Sequence, residues 1–191
     1  MRIIKSESLP TLTSSRLVLR WLEDTDAADL FAIFSNQQAM RFWSSLPWTD
    51  MAEALDLINS VRRHFAADSL YQWGVVRRED GALIGTCTLA HIDAQNRRAE
   101  IGFMLRPDCW GQGYMSEALS TLLRFAFEEL AMHRIEADVD PRNGPSIRLL
   151  ERLGFQREGL LRERWLVGQE VNDTVFYGLL QREWLARDRH A

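Results

Sequence analysis

The run AEIGFMLRPDCWGQGYMSEALSTLLRFAFEEL, residues 99–130, changes its hydrophobic period once. Residues 99–105 alternate between two faces, as a strand does. Pro107 breaks that strand, and two glycines then flank Gln112. From 115 to 130 the apolar residues Met115, Ala118, Leu119, Leu122, Ala126 and Leu130 share one helical stripe. A second alternating run, RIEADVD, follows at 134–140. Strand, helix and strand in that order imply an α/β domain with one helical crossover in its middle.

The flanking segments complete a mostly antiparallel sheet. RLVLRWL (16–22) alternates as a strand, and Asp24 or Thr25 caps a helix that reaches about Phe34. FWSSLPW (42–48) is an aromatic loop, and residues 49–66 form a second helix with Leu55, Ile58, Val61 and Phe65 at helical spacing. Residues 71–77 and 82–92 read as a hairpin, and with 99–105 they make a meander. Pro145 suits the first turn of a short helix over 145–153, which Gly154 stops. Two final strands flank the turn GQE. The fold class expected is α/β (α+β) with a mixed, mostly antiparallel sheet.

A chain of 191 residues suits one domain, 1–191, and can bury a sizeable core without staples. A net charge of -4 gives no basic excess for nucleic acid. The two cysteines, Cys87 and Cys109, form no CxxC, and the histidines are scattered, which argues against a metal site. Neither cysteine has the context of a nucleophile, and His91 and His133 read as strand-end or loop residues. No N-terminal stretch is long and apolar enough for a signal or a membrane span, so a cytoplasmic protein is expected.

The glycine turn is a candidate anion site. The first N–H groups of a helix lack intrahelical acceptors, the helix dipole is positive there, and glycines permit close approach. Successive N–H groups from about Trp110 to Met115 could wrap a pyrophosphate. GQGYMSE lacks the lysine and Ser/Thr of a P-loop, and Ser116 replaces the third glycine of a dinucleotide fingerprint. Taken alone, the turn could equally be empty of ligand. Glu100 alternates with Ile101 and Phe103, so it faces the opposite side of its strand with Gly102 and Met104.

AEIGFMLRPDCWGQGYMSEAL followed by NGPSIRLLERLGFQREG resembles the GNAT acetyltransferase superfamily. The beginning TSSRLVLRWLEDTDAADLF and the ending GFQREGLLRERWLVGQEVNDTVFYGLLQREW are similar to its RimJ/RimL type of N-terminal acetyltransferase. The resemblance runs from about Leu12 to Trp184. It implies a sheet of about six to seven strands flanked by helices and splayed at an acetyl-CoA site. It also implies that Phe103, Met104 and Leu105 line the pantetheine arm, and that Trp110, Gly111, Gln112, Gly113, Tyr114 and Met115 hold the pyrophosphate. The family loop begins with Gln or Arg where this chain has Asp108. Its side chain is expected to turn away, and Arg106 is a candidate for the missing charge.

By the same resemblance, Asn143 contacts the CoA arm and Ser146 lies near the sulfur. Leu150 stands where many members have an acidic tyrosine, so Ser146 becomes the candidate hydrogen-bond donor to the thiolate, with a helix cap as its alternative. Glu100 is the first candidate base and Glu158 the second. Asp173 is a candidate contact for the amine. Trp43, Trp48 and Trp73 could shape the acceptor groove or fill the core, and Trp184 packs the C-terminus. Arg142 or Arg148 could reach the ribose phosphate or lie in solvent. The reaction implied is acetyl transfer to an amine, a peptide N-terminus or a small molecule such as a polyamine, amino acid or antibiotic. The alternative of another class is a non-catalytic acyl-CoA sensor. A homodimer through exposed strand edges is a further expectation.

Overall fold

The computed structural model describes residue 4 and residues 6–187. Eight strands form one sheet in the order β1-β2-β3-β4-β5-β6-β8-β7. They are β1 (Leu12–Thr13), β2 (Leu17–Arg20), β3 (Tyr71–Arg77), β4 (Leu83–Asp93), β5 (Arg98–Leu105), β6 (Arg134–Val139), β7 (Gln156–Val167) and β8 (Glu170–Leu180). Every neighbouring pair is antiparallel except β5 and β6. The parallel pair arises because the helical crossover returns the chain in its original direction. The strand beyond the expected six to seven is β1, which at two residues is too short to carry an alternating pattern.

Period-2 alternation sorts the side chains onto two faces. On one face Tyr71, Trp73, Val75, Cys87, Leu89, Ala99, Ile101, Ile135, Ala137, Val175 and Tyr177 join one core cluster. There they pack with buried residues of α3 (Tyr114–Arg124), α4 (Gly144–Arg152) and α5 (Gln181–Arg187). On the other face Val76, Leu83 and Met104 pack with Leu30, Ile33 and Phe34 of α1 (Ala27–Phe34) and Ile58 and Val61 of α2 (Ala52–Ala66). The helix expected over 115–130 changes geometry near its end. After Arg124, residues Phe125–Glu129 form a π-turn, with the Leu130 N–H donating to Phe125 O at 3.0 Å. Trp184 of α5 packs against Phe127, with ring centroids 6.0 Å apart.

Candidate active site

The sheet opens in its middle. β5 and β6 pair only from Arg98 to Glu100 against Arg134 to Glu136. β5 runs on to Leu105 and β6 to Val139 without a partner across the gap. Backbone N–H and C=O groups of Phe103, Met104 and Leu105 that face the gap are therefore free to pair with an extended, peptide-like chain. Met104 and Leu105 bury their side chains, at 4% and 8% exposure, so they offer main chain only.

A cavity of about 500 Å³ opens beside the splay on the α1–α2 face. Glu100, Asp138, Asp140, Glu170 and Asp173 all line it, together with Trp43, Gln72, His91 and Trp165. Glu100 lies where the strands part, on the face its alternation required. Burial raises its pKa above the ordinary carboxylate value; His91 opposes this, Asp138 and Glu136 add to it, and Arg164 opposes it. Among the described residues no donor bonds its side chain, so this carboxylate stands free at the cavity wall with its basicity raised.

Asp138 carries no mark in a motif, yet it is a hub. Its side chain is 8% exposed, accepts from the Trp165 indole at 3.1 Å, and accepts from the Thr174 hydroxyl. The signal is present in RIEADVD, whose Glu136 and Asp138 share one face of β6, with Asp140 directly after its end. Trp165 reaches Asp138 because β7 bulges, its pairing with β8 jumping from Leu161–Thr174 to Trp165–Asn172. Glu163, within the bulge, is left-handed with φ 52°. Its N–H donates to Asp173 Oδ1 at 2.8 Å. Asp173 thus lines the cavity, but one of its oxygens already holds the bulge.

At the glycine turn, Gly111 and Gly113 adopt φ of 71° and 80°, a region that favours glycine. The Cys109 and Trp110 N–H groups are spent on Arg106 O and Pro107 O. This corrects the expected role of Trp110, whose amide is occupied and whose indole donates to Leu105 O at 2.8 Å. From Gly111 to Ser116, six successive N–H groups have no protein acceptor among the described residues. Such a row fits a pyrophosphate. Tyr114 and Met115 contribute only these amides, because their side chains are buried. Arg106 bonds Asp108 at 2.7 Å, so the carboxylate that stands in the family's Gln/Arg position is neutralised and its partner is consumed.

α4 begins on the far side of the splay, directly after β6. The Asn143 side chain accepts from the Ser146 N–H at 3.3 Å and so caps the helix. The Ser146 hydroxyl is left with no protein partner among the described residues, at a helix end that favours negative charge.

The structure chooses among the alternatives open for Trp73, Trp48 and Arg142, and it takes Glu158 away from the cavity. Trp73 is fully buried at 0% exposure on the α3 face, edge-on to Phe125, with its indole bonded to Pro10 O at 2.9 Å. It alternates with Gln72, which lines the cavity, so it cannot reach an acceptor. Trp48 stacks on Phe34 at 4.6 Å and belongs to the α1–α2 core; of the three tryptophans only Trp43 lines the cavity. Glu158 is held by Arg134, with one bond of 2.8 Å, away from the cavity lining. That pairing lowers its pKa, opposite to a base's requirement. Arg142 spends its guanidinium on Asp140, Glu170 and Asn172 at the cavity rim rather than on a ribose phosphate.

A family model described as acetyltransferase (GNAT) domain matches residues 16–156. The uncharacterized N-acetyltransferase p20 of Bacillus licheniformis is 37% identical over 176 residues, covering 92% of this chain and 99% of the relative. YdaF of Bacillus subtilis, provisionally named a ribosomal N-acetyltransferase, is 33% identical over 177 residues, covering 90% and 94%. Among solved structures, the spermidine N-acetyltransferase of Vibrio cholerae in complex with CoA and spermine superposes with a TM-score of 0.80 at 27% identity, covering 90% of this chain and 99% of that one. A match from Arg16 to the start of β7, and a relative aligned almost end to end, mean that this chain belongs to the GNAT acetyltransferase family and is an acetyl-CoA-dependent N-acetyltransferase.

Proposed function

We propose that the protein acetylates a protein N-terminal α-amine, through one domain spanning about residues 12 to 184. The observation that carries the reading is the placement of Glu100, a half-buried carboxylate with no bonded partner among the described residues, at the point where the sheet splays between the cavity and the row of free amides. Free main chain at Phe103 to Leu105 would hold the pantetheine, and the amides of Gly111 to Ser116 the pyrophosphate. The amine enters from the cavity, and Glu100 takes its proton through a water. The amine nitrogen then bonds the acetyl carbonyl carbon as the carbon–sulfur bond breaks, with the thioester carbonyl polarised by strand N–H groups. The departing electron pair goes to sulfur, where the Ser146 hydroxyl stabilises the thiolate until it takes the second proton, shed by the new amide nitrogen. Asn143 holds the turn that presents Ser146. An α-amine has a pKa near 8, against about 10.4 for lysine, so Glu100 has less to do with the former.

A second acceptor class has its own support. Five carboxylates line the cavity; Arg142 pairs with Asp140 and Glu170, and Arg41 with Glu170, which leaves an excess of negative charge that suits a small amine with several positive charges, and a polyamine is the acceptor named for the Vibrio cholerae neighbour. Free-thiol release from acetyl-CoA, measured with α-amine peptides, lysine peptides, polyamines and aminoglycosides, separates the classes. Release with α-amine peptides alone supports the main reading, and release with polyamines alone replaces it by the second. Tight acetyl-CoA binding with no release from any amine would make the protein an acyl-CoA sensor. In the same assay Ser146→Ala should lower kcat about ten-fold with little change in the acetyl-CoA KM.

A further inference from the structure

The glycine turn is braced from outside by a residue that lies far away in sequence. Arg16, just before β2, donates from Nη1 to Gln112 O at 2.9 Å, and its guanidinium lies 4.5 Å from the Tyr114 ring centre. A Cβ added to Gly113 would meet Arg16 Nη2 at 3.4 Å, so the guanidinium lies against the turn itself. Arg16 is aimed by Glu117, one helical turn further along α3. The Glu117 carboxylate accepts from Arg16 Nε at 2.7 Å, from the Arg16 N–H at 2.7 Å, and from the Ser14 and Ser15 hydroxyls at 2.8 and 3.1 Å. Burial opposes this anion, but those four bonds outweigh it and bring its pKa down to about 2.

The consequence follows from the planarity of the peptide unit. In a trans peptide the C=O of Gln112 and the N–H of Gly113 point in opposite directions. Locking that carbonyl toward Arg16 turns the Gly113 N–H away from it, among the free amides of the turn. The two glycines leave the turn little intrinsic rigidity, so an external brace has an effect here that it would lack within a helix. Arg106, the cation nearer in sequence, is already bonded to Asp108. We propose that Arg16, oriented by Glu117, is a positioning residue for acetyl-CoA, fixing the peptide plane that presents the Gly113 N–H to the pyrophosphate. This rests on the acetyl-CoA reading of the turn.

The test compares wild type with Arg16→Ala, Arg16→Lys and Glu117→Gln. It measures CoA affinity by calorimetry, steady-state kinetics with acetyl-CoA and with S-acetylpantetheine, and thermal midpoints. Arg16→Ala should weaken CoA about ten-fold and raise the acetyl-CoA KM to match. It should leave the amine KM unchanged, and leave kcat/KM for S-acetylpantetheine, which lacks the pyrophosphate, as in wild type. Arg16→Lys keeps the charge but cannot bond Gln112 O and Glu117 as a fork, so it should fall between the two. Glu117→Gln should follow the same pattern more weakly, which covers the case in which Arg16→Ala does not fold. Folded variants with lower midpoints but unchanged CoA affinity would overturn the proposal and leave Arg16 a structural staple. Equal losses with both acetyl donors would overturn it as well. A wild-type protein that binds no CoA would overturn the acetyl-CoA reading together with this proposal.

Discussion

Glu100 illustrates how a single half-buried carboxylate trades stability for chemistry. Burial raises its folded-state pKa, so the folded protein binds this proton more tightly than the unfolded chain does. Its ionisation therefore costs stability, and that cost appears as pH rises from the unfolded carboxylate range through the raised folded value. Glu100→Gln, which cannot ionise, should raise the thermal midpoint at pH 7 to 8 while lowering kcat about a hundred-fold or more. The pH profile of kcat/KM should lose the acid limb that Glu100 imposes. A variant of unchanged activity would remove Glu100 from the proton path. Trp73 represents the opposite case. Its ring fills the core under α3, so Trp73→Ala should cost about 3–5 kcal/mol in denaturant unfolding while the KM values of the remaining folded protein stay unchanged.

The elements that matter are those that depart from regular geometry. β5 stops pairing with β6 after Glu100, β7 bulges around Glu163, and the turn before α3 passes through two left-handed glycines. Each departure exposes main chain or redirects a side chain where a regular element would not. Gly113→Ala places a Cβ at φ 80° and 3.4 Å from Arg16. The left-handed strain is about 1 kcal/mol, which should lower the thermal midpoint by about 2–4 °C. A larger effect is expected on the acetyl-CoA KM, because the same Cβ disturbs the free amides. Asp173→Ala removes the acceptor for the Glu163 N–H and loosens the bulge that seats Trp165. It should raise the amine KM and leave CoA affinity intact, as steady-state kinetics beside calorimetry would show.

At the scale of the whole molecule, three distant segments meet at one guanidinium. Arg142 bonds Asp140 at the end of β6 and Glu170 at the tip of the β7–β8 hairpin, and it lies 5.8 Å from the Phe42 ring in the short turn before Trp43. Burial opposes ionisation of Asp140, but its bonds to Arg142 prevail and hold its pKa below the ordinary value. Arg142 also directly precedes Asn143, the cap of α4, so the cavity rim and the Ser146 turn share an anchor. Arg142→Ala should raise the amine KM several-fold and lower kcat, with CoA affinity unchanged. Arg142→Lys should restore only part of the loss, since one ammonium cannot bridge Asp140 and Glu170 as a fork does. The five carboxylates of the cavity add a salt dependence, and the KM of a cationic acceptor should rise with ionic strength.

Short-range periodicity and turn chemistry account for part of this protein. The order of strands and helices, the glycine turn at a helix start and the face on which Glu100 lies all follow from spacings of a few residues. The tertiary structure decided whatever depends on which strands become neighbours. Trp43 and Trp73 look alike along the chain, and only the sheet, with helices on both faces, puts one in the cavity and the other in the core. Glu158 stands as the second candidate base until the sheet, with β8 between β6 and β7, brings Arg134 onto it. Asp138 meets Trp165 through a bulge that leaves no periodic trace, and Arg16 reaches Gln112 across 96 residues because β2 is laid alongside the start of α3. Local propensity acts within a turn or two of chain, whereas these contacts are selected by the burial of the whole sheet against its helices.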